Sequence, residues 1–164
     1  MKKIVLILAL IILLSALPAS AEIRHGRDEF TNGTVIGSYI NVSDVIDSIF
    51  LVKTVTSNSS EYEIGAKSKT LKDFAFAKTF IEVKIDENPT HKIEVKGVSS
   101  TRVPSSMVTY WFTVVAPANN QIISEIKLAK RVALRFQRVD NYSPIYVLPN
   151  AVLAEWKEVI NTEK

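Results

Sequence analysis

The sequence predicts an α+β domain: an antiparallel sheet of about six strands with one crossing helix and a C-terminal amphipathic helix. Three observations carry that expectation. Residues 79–95 alternate apolar and polar side chains on both sides of a turn-forming stretch, which is the period-two pattern of a hairpin with one buried face. Residues 152–160 repeat apolar side chains at helical spacing, the stripe of a helix lying on a core. There is no cysteine in 164 residues, so packing alone has to stabilise whatever folds.

The chain opens with Lys2 and Lys3, an unbroken apolar run from Ile4 to Leu14, then Ser15 to Leu17, Pro18 and the small residues Ala19, Ser20 and Ala21. A positive, an apolar and a small-residue region in that order describe a secretory signal peptide, cut after Ala21. The competing reading is a membrane anchor, but Ile4 to Leu17 is only 14 residues, and a spanning helix takes roughly 20. The expected product is residues 22–164, one domain exported to a periplasm or secreted, with no membrane anchor after cleavage. Without cysteine there is no thiolate metal site and no lipid attached at the cleavage point.

Of the 20 basic side chains only Lys2 and Lys3 fall in the first 21 residues, so residues 22–164 carry 18 basic against 17 acidic ones. Steering toward nucleic acid or an anionic membrane needs a summed field, and a nearly balanced chain does not provide it. Nucleic acid is therefore not an expected partner.

From Glu22 to Gly37 the chain is polar, with His25-Gly26-Arg27 and Asn32-Gly33 as turn-prone points and Phe30 as a residue that could dock the segment. Val35, Ile36, Tyr39, Ile40 and Val42 suit a first strand. Ser43 is placed to cap a short helical turn over Asp44 to Asp47. Phe50 to Thr56, the polar break Ser57 to Ser60 and Tyr62-Glu63-Ile64 read as a hairpin. Thr79 to Ile85, the turn Asp86 to Thr90 and the return through Ile93 and Val95 read as a second. Ser99 to Ser106 reads as a loop, and Val108 to Ala116 as an aromatic strand stopped by Pro117.

Residues 121–138 suit either a strand or a helix followed by a strand. Helix formers crowd the first half and alternation is clean in the second, so the expectation is a helix over Gln121 to Ala129, capped by Asn119 or Asn120, then a strand from Arg131 to Arg138. Asp140 to Pro144 turns the chain into a short strand, Ile145 to Leu148. Pro149 suits the first turn of a closing helix with Val152, Leu153, Trp156, Val159 and Ile160 on its apolar face.

Asp28 to Asn32, the strand Tyr110-Trp111-Phe112-Thr113-Val114 and the passage Ile126 to Phe136 resemble a loose class of small exported bacterial domains of unknown function. The resemblance covers about half of residues 22–164. It implies a sheet leading into a helix and then a strand with a basic residue, and it implies no activity.

Chemistry is sparse. His25 and His91 have no second ligand at metal-binding spacing, so no metal and no cofactor is expected. No H-E-x-x-H, G-x-S-x-G or glycine-rich phosphate loop occurs. Asp86 and Glu87 are paired carboxylates as in a glycosidase, but on a hairpin turn solvated acids are the ordinary expectation. Four Asn-x-Ser/Thr triplets, at Asn32, Asn41, Asn58 and Asn141, read as a by-product of composition after a signal of bacterial style. Tyr110, Trp111, Phe112 and Trp156 could line a groove, though aromatics at such spacing belong to the core in most proteins. The segment with most chemical content is basic: Lys127, Lys130, Arg131, Arg135 and Arg138 against the single acid Glu125. On a strand, Arg131 and Arg135 share a face about 13 Å apart and could flank an extended anionic ligand. The bland reading pairs them with acids on neighbouring strands.

These features argue against an enzyme. They suggest an exported bacterial envelope module that binds another envelope protein or a small anionic ligand, with Arg131 and Arg135 as candidate ligand-binding residues. The alternative is an envelope or secreted hydrolase whose site is assembled from distant segments.

Overall fold

A computed structural model describes residues 22–27, 33–42, 46–70, 76–103, 109–138 and 142–163, with the side chains of 69–70, 102–103 and 109–110 outside that description. The expected signal peptide at 1–21, the docking of Phe30, the turn capped by Ser43, and Asp140-Asn141 lie outside the described residues. Among the described residues no helix is long and apolar enough to cross a membrane.

The fold is α+β and mostly antiparallel sheet. In chain order the elements are β1 (Glu22–Arg27), β2 (Thr34–Asn41), β3 (Ser48–Val55), β4 (Ser60–Thr70), β5 (Phe76–Ile85), β6 (His91–Glu94), β7 (Gly97–Val103) and β8 (Thr109–Pro117). Then come α1 (Asn120–Leu128), β9 (Val132–Arg138), β10 (Tyr146–Val147) and α2 (Asn150–Asn161). One sheet of about six strands was the expectation; the strands instead form a six-stranded sheet, β1-β2-β3-β4-β8-β7, and a four-stranded one, β10-β9-β5-β6. The division has a local cause. Val95 donates its N–H to the Thr79 carbonyl in the smaller sheet, and the next residue, Lys96, donates to the Val115 carbonyl in the larger. Successive amides of one extended chain point to opposite sides, so a strand running on at this point joins a second partner.

Both expected hairpins form. β3 pairs with β4 from Ser48↔Lys67 to Val55↔Ser60, and β5 pairs with β6 from Phe80↔Glu94 to Val83↔His91. Pairing sets the inner face of the larger sheet as Ile36, Ser38 and Ile40, then Ile49, Leu51 and Lys53, then Ile64 and Ala66, then Val114 and Ala116, all buried. α2 packs on this face over β2 and β3, while β5 and β6 of the smaller sheet pack on β8. Ile81, Val83, Ile85, Val132, Leu134, Phe136 and the α2 stripe Val152, Leu153, Trp156, Val159 and Ile160 complete a single core. On the outer face the Phe50 ring lies over Gly65. A Cβ at residue 65 would fall 2.4 Å from both the Phe50 Cζ and the Val114 carbonyl oxygen, so only glycine fits.

Two segments differ from expectation. His25-Gly26-Arg27, read as a turn, is the end of β1, paired in full register with β2. Residues 97–103, read largely as a loop, form β7 on the edge of the larger sheet, paired with β8 from Gly97↔Val115 to Val103↔Thr109. The physical reason is common to both. An edge strand is held through its main chain and exposes its side chains, so it needs no apolar alternation and leaves none to read. In β5 the register slips between Phe76 and Ile81, which lets residues of opposite parity both reach the core.

The helices lie within a residue of expectation. Asn119 caps α1 by accepting from the Ile122 amide at 3.0 Å, and Ile122, Ile126 and Ala129 are buried. Pro149 precedes α2 at the N-cap position, one residue before the first turn where it was expected, and supplies no side-chain cap.

Candidate functional site

The site is built on β9, where strand periodicity sends Val132, Leu134 and Phe136 into the core and presents Arg131, Ala133 and Arg135 on the opposite face. What fixes the start of this strand is Asp86. Its backbone sits at φ 45°, outside the range most side chains accept, in the tight turn that closes the β5–β6 hairpin. Its carboxylate accepts from the Lys130 amide at 2.9 Å and the Arg131 amide at 2.7 Å, and its own amide donates to the Arg131 carbonyl at 2.9 Å. The expectation of a solvated turn acid fails here: tertiary folding brings two free amides to it from 44 and 45 residues away. From α2, Lys157 donates to the Ala129 carbonyl at 2.7 Å, closing the C-terminal end of α1.

Arg131 and Arg135 both line one concavity of about 270 Å³, together with Glu82, Lys84, Thr90, Ala133, Leu134 and Ile145. Ala133 makes the hollow, because a methyl group stands between two long side chains. Lys84 lies opposite Ala133 on β5, and Glu82 lies opposite Arg135. Ile145, 63% exposed, forms a wall leading to β10, where Val147 pairs opposite Ala133.

The two arginines are not equivalent. Arg135 grips the 9%-exposed Glu82 side chain through both Nε, at 2.5 Å from Oε2, and Nη2, and its guanidinium lies 4.4 Å from the Tyr142 ring centroid. Lys92 Nζ adds a longer contact to Glu82 Oε1 at 3.8 Å. For Arg135 the bland reading is therefore right. Arg131 is exposed, and among the described residues no carboxylate pairs with it. Lys84 donates to the Asn88 carbonyl and retains two further N–H groups. The expectation that Arg131 and Arg135 together flank an extended anion is thus revised: the unneutralised charge lies at the Arg131–Lys84 end.

His91, read as lone polar surface, is partly buried. Its Nε2 lies 2.8 Å from Glu125 Oε2, and that carboxylate also accepts from Asn88 Nδ2 at 2.9 Å and Gln121 Nε2 at 3.0 Å. The His91 hydrogen bond, then that of Asn88, holds the Glu125 carboxyl below its ordinary pKa. This cluster ties the β5–β6 turn to α1. His25 is exposed on β1, and no group of three metal-ligating side chains occurs among the described residues.

The aromatics do not converge. Trp156 is fully buried and Phe112 packs against the core, whereas Trp111 stands on the outer face of the larger sheet with Lys67 Nζ 3.5 Å from its ring centroid. Burial lowers the Lys67 pKa, against a smaller opposing effect of Asp47. The Tyr110 side chain lies outside the described residues. A second concavity, about 420 Å³ around Lys53, Tyr62, Lys127 and residues 160–163, is larger, but its central donors are engaged. Lys53 donates to the Ile160 and Thr162 carbonyls at 3.1 and 2.7 Å, and the Tyr62 hydroxyl to the Ile160 carbonyl at 3.4 Å.

Sequence reasoning missed Lys84 and Thr90. Neither carries a signal of its own, since the site exists only because β5 pairs with β9 and turns at Asp86. No protein-family model, no curated protein and no solved structure matches this chain.

Proposed function

We propose that the protein is an exported bacterial envelope module, not a catalyst, that binds a small anionic ligand in the concavity beside Arg131. Export is supported by the lysine, apolar and small-residue order of the first 21 residues. Binding is supported by one observation above the rest: Arg131 and Lys84 bring two positive charges to a hollow whose one lining carboxylate, Glu82, already serves Arg135. A guanidinium presents a planar fork to a carboxylate or phosphate, and Thr90, which lines the same hollow, carries a hydroxyl able to donate a hydrogen bond. In this reading α1 is the crossing element that leads into β9, whose start Asp86 holds at Lys130 and Arg131. Arg135 holds the wall of the site, acting through Glu82 and Tyr142.

Titration of the purified protein with inorganic phosphate and with acetate, followed by amide chemical shifts, tests the proposal. Shifts are expected around 84, 90 and 131–133, weakening with added salt, with affinity falling about tenfold or more in Arg131→Ala, as for loss of a charged hydrogen bond. Saturable binding that is unchanged in the Arg131→Ala/Lys84→Ala double variant, or no binding of either anion, overturns it.

A further inference from the structure

The concavity is lopsided, and the asymmetry specifies its ligand more narrowly than charge does. We infer, resting on the anion-binding reading above, that the site takes an amphipathic monoanion: one carboxylate carried on a short apolar chain. The charge is confined to one end. A carboxylate at Arg131 and Lys84 finds two cations that pair with no carboxylate among the described residues, but a second anionic group farther along β9 meets Arg135 and Lys92, which already share Glu82. Glu82 itself would repel it. An extended polyanion therefore gains little beyond its first contact.

The remaining surface is apolar. The Ala133 methyl forms the floor, and the exposed Ile145 and Val147 continue it toward β10. Among the described residues these are two of four exposed large hydrophobic side chains, and Tyr142, a third, stands beside the same sheet edge beneath Arg135. Exposed apolar side chains that adjoin a cationic pocket favour a ligand with a hydrophobic segment next to its charge. Because β10 is only two residues long, the edge offers few main-chain groups, so side-chain contact rather than strand addition has to hold the ligand.

The test compares acetate, butyrate and hexanoate with inorganic phosphate, again by amide shifts on the purified protein. Affinity is expected to rise about two- to fourfold per added methylene, the range for partial to full burial. The shifts should spread from 84 and 131 to 133, 145 and 147 as the chain lengthens. Ile145→Ser, a change at an exposed position, should flatten the chain-length dependence from acetate to hexanoate. Equal binding of all three carboxylates, or phosphate binding tighter than hexanoate, with either effect depending on Arg131, overturns the inference and leaves the anion site standing. Failure of every anion to bind removes both.

Discussion

At the scale of single residues, the decisive side chains are charged ones placed where their neighbours in sequence give no reason to expect them. Lys53 is the clearest. It lies on the inner face of β3, 6% exposed, between Leu51 and Val55, which point the same way. A buried ammonium is costly unless its donors are satisfied. Here the C-terminal end of α2 supplies the Ile160 and Thr162 carbonyls, and the Tyr62 ring lies 5.5 Å away. A helix C-terminus carries partial negative charge and unpaired carbonyls, so the lysine and the helix end satisfy each other. Lys53→Met keeps the apolar stem but leaves the Thr162 carbonyl without its side-chain donor and the Ile160 carbonyl with only the long contact from the Tyr62 hydroxyl. It should lower the unfolding free energy by about 1–3 kcal/mol in urea denaturation, against less than about 0.5 kcal/mol for the exposed Lys78→Met. Equal stability of the two variants would show that the buried ammonium contributes no net stability. Asp86 belongs to the same class: its sequence context reads as a turn, but its partners are the amides that begin β9.

At the scale of elements, the hairpins and both helices were legible because their signals are local. Asn119 three residues before the Ile122 amide, and the spacing of Val152, Leu153, Trp156, Val159 and Ile160, depend on nothing outside the element itself. β1 and β7 were illegible because an edge strand exposes its side chains, leaving Ser, Thr and Arg free to occupy it. The link between the β5–β6 turn and α1 is also nonlocal, and it carries a pH signature. Glu125 has its folded pKa lowered, first by His91 and then by Asn88. A carboxyl of that kind stabilises the fold above its unfolded pKa and loses the contribution as pH falls through its folded one. The melting temperature should therefore drop more between pH 7 and pH 3 in the wild type than in Glu125→Gln, which cannot ionise. Parallel drops in calorimetry would rule out a role for this carboxylate in acid sensitivity. The candidate site lies between legible and illegible. Alternation along 131–135 placed Arg131 and Arg135 on one face from sequence alone. That Arg135 pairs with a carboxylate and Arg131 with none among the described residues follows from Glu82 standing opposite the former, a matter of register between β5 and β9.

At the scale of the whole molecule, the larger sheet and the layer formed by α2 and the smaller sheet enclose a core without a disulfide. The export proposal makes a specific demand on this architecture: cleavage after Ala21 leaves Glu22, the first described residue of β1, as the N-terminus. Intact-mass measurement of the protein from its native cells should give a chain that begins at Glu22 and fractionates outside the cytoplasm. A cytoplasmic product that retains Met1 would end the proposal.

Taken alone, the sequence determined the hairpins, the two helices, the cysteine-free chemistry and the α+β class, because each depends on periodicity or composition within a few consecutive residues. Only the tertiary structure decided that the strands divide between two sheets, that Lys53 and Asp86 serve distant backbone groups, and that Arg135 rather than Arg131 pairs with a carboxylate among the described residues. The reason is one of range. Periodicity states which face a residue occupies, while pairing between strands far apart in the chain decides what stands opposite it, and electrostatics depends on the second.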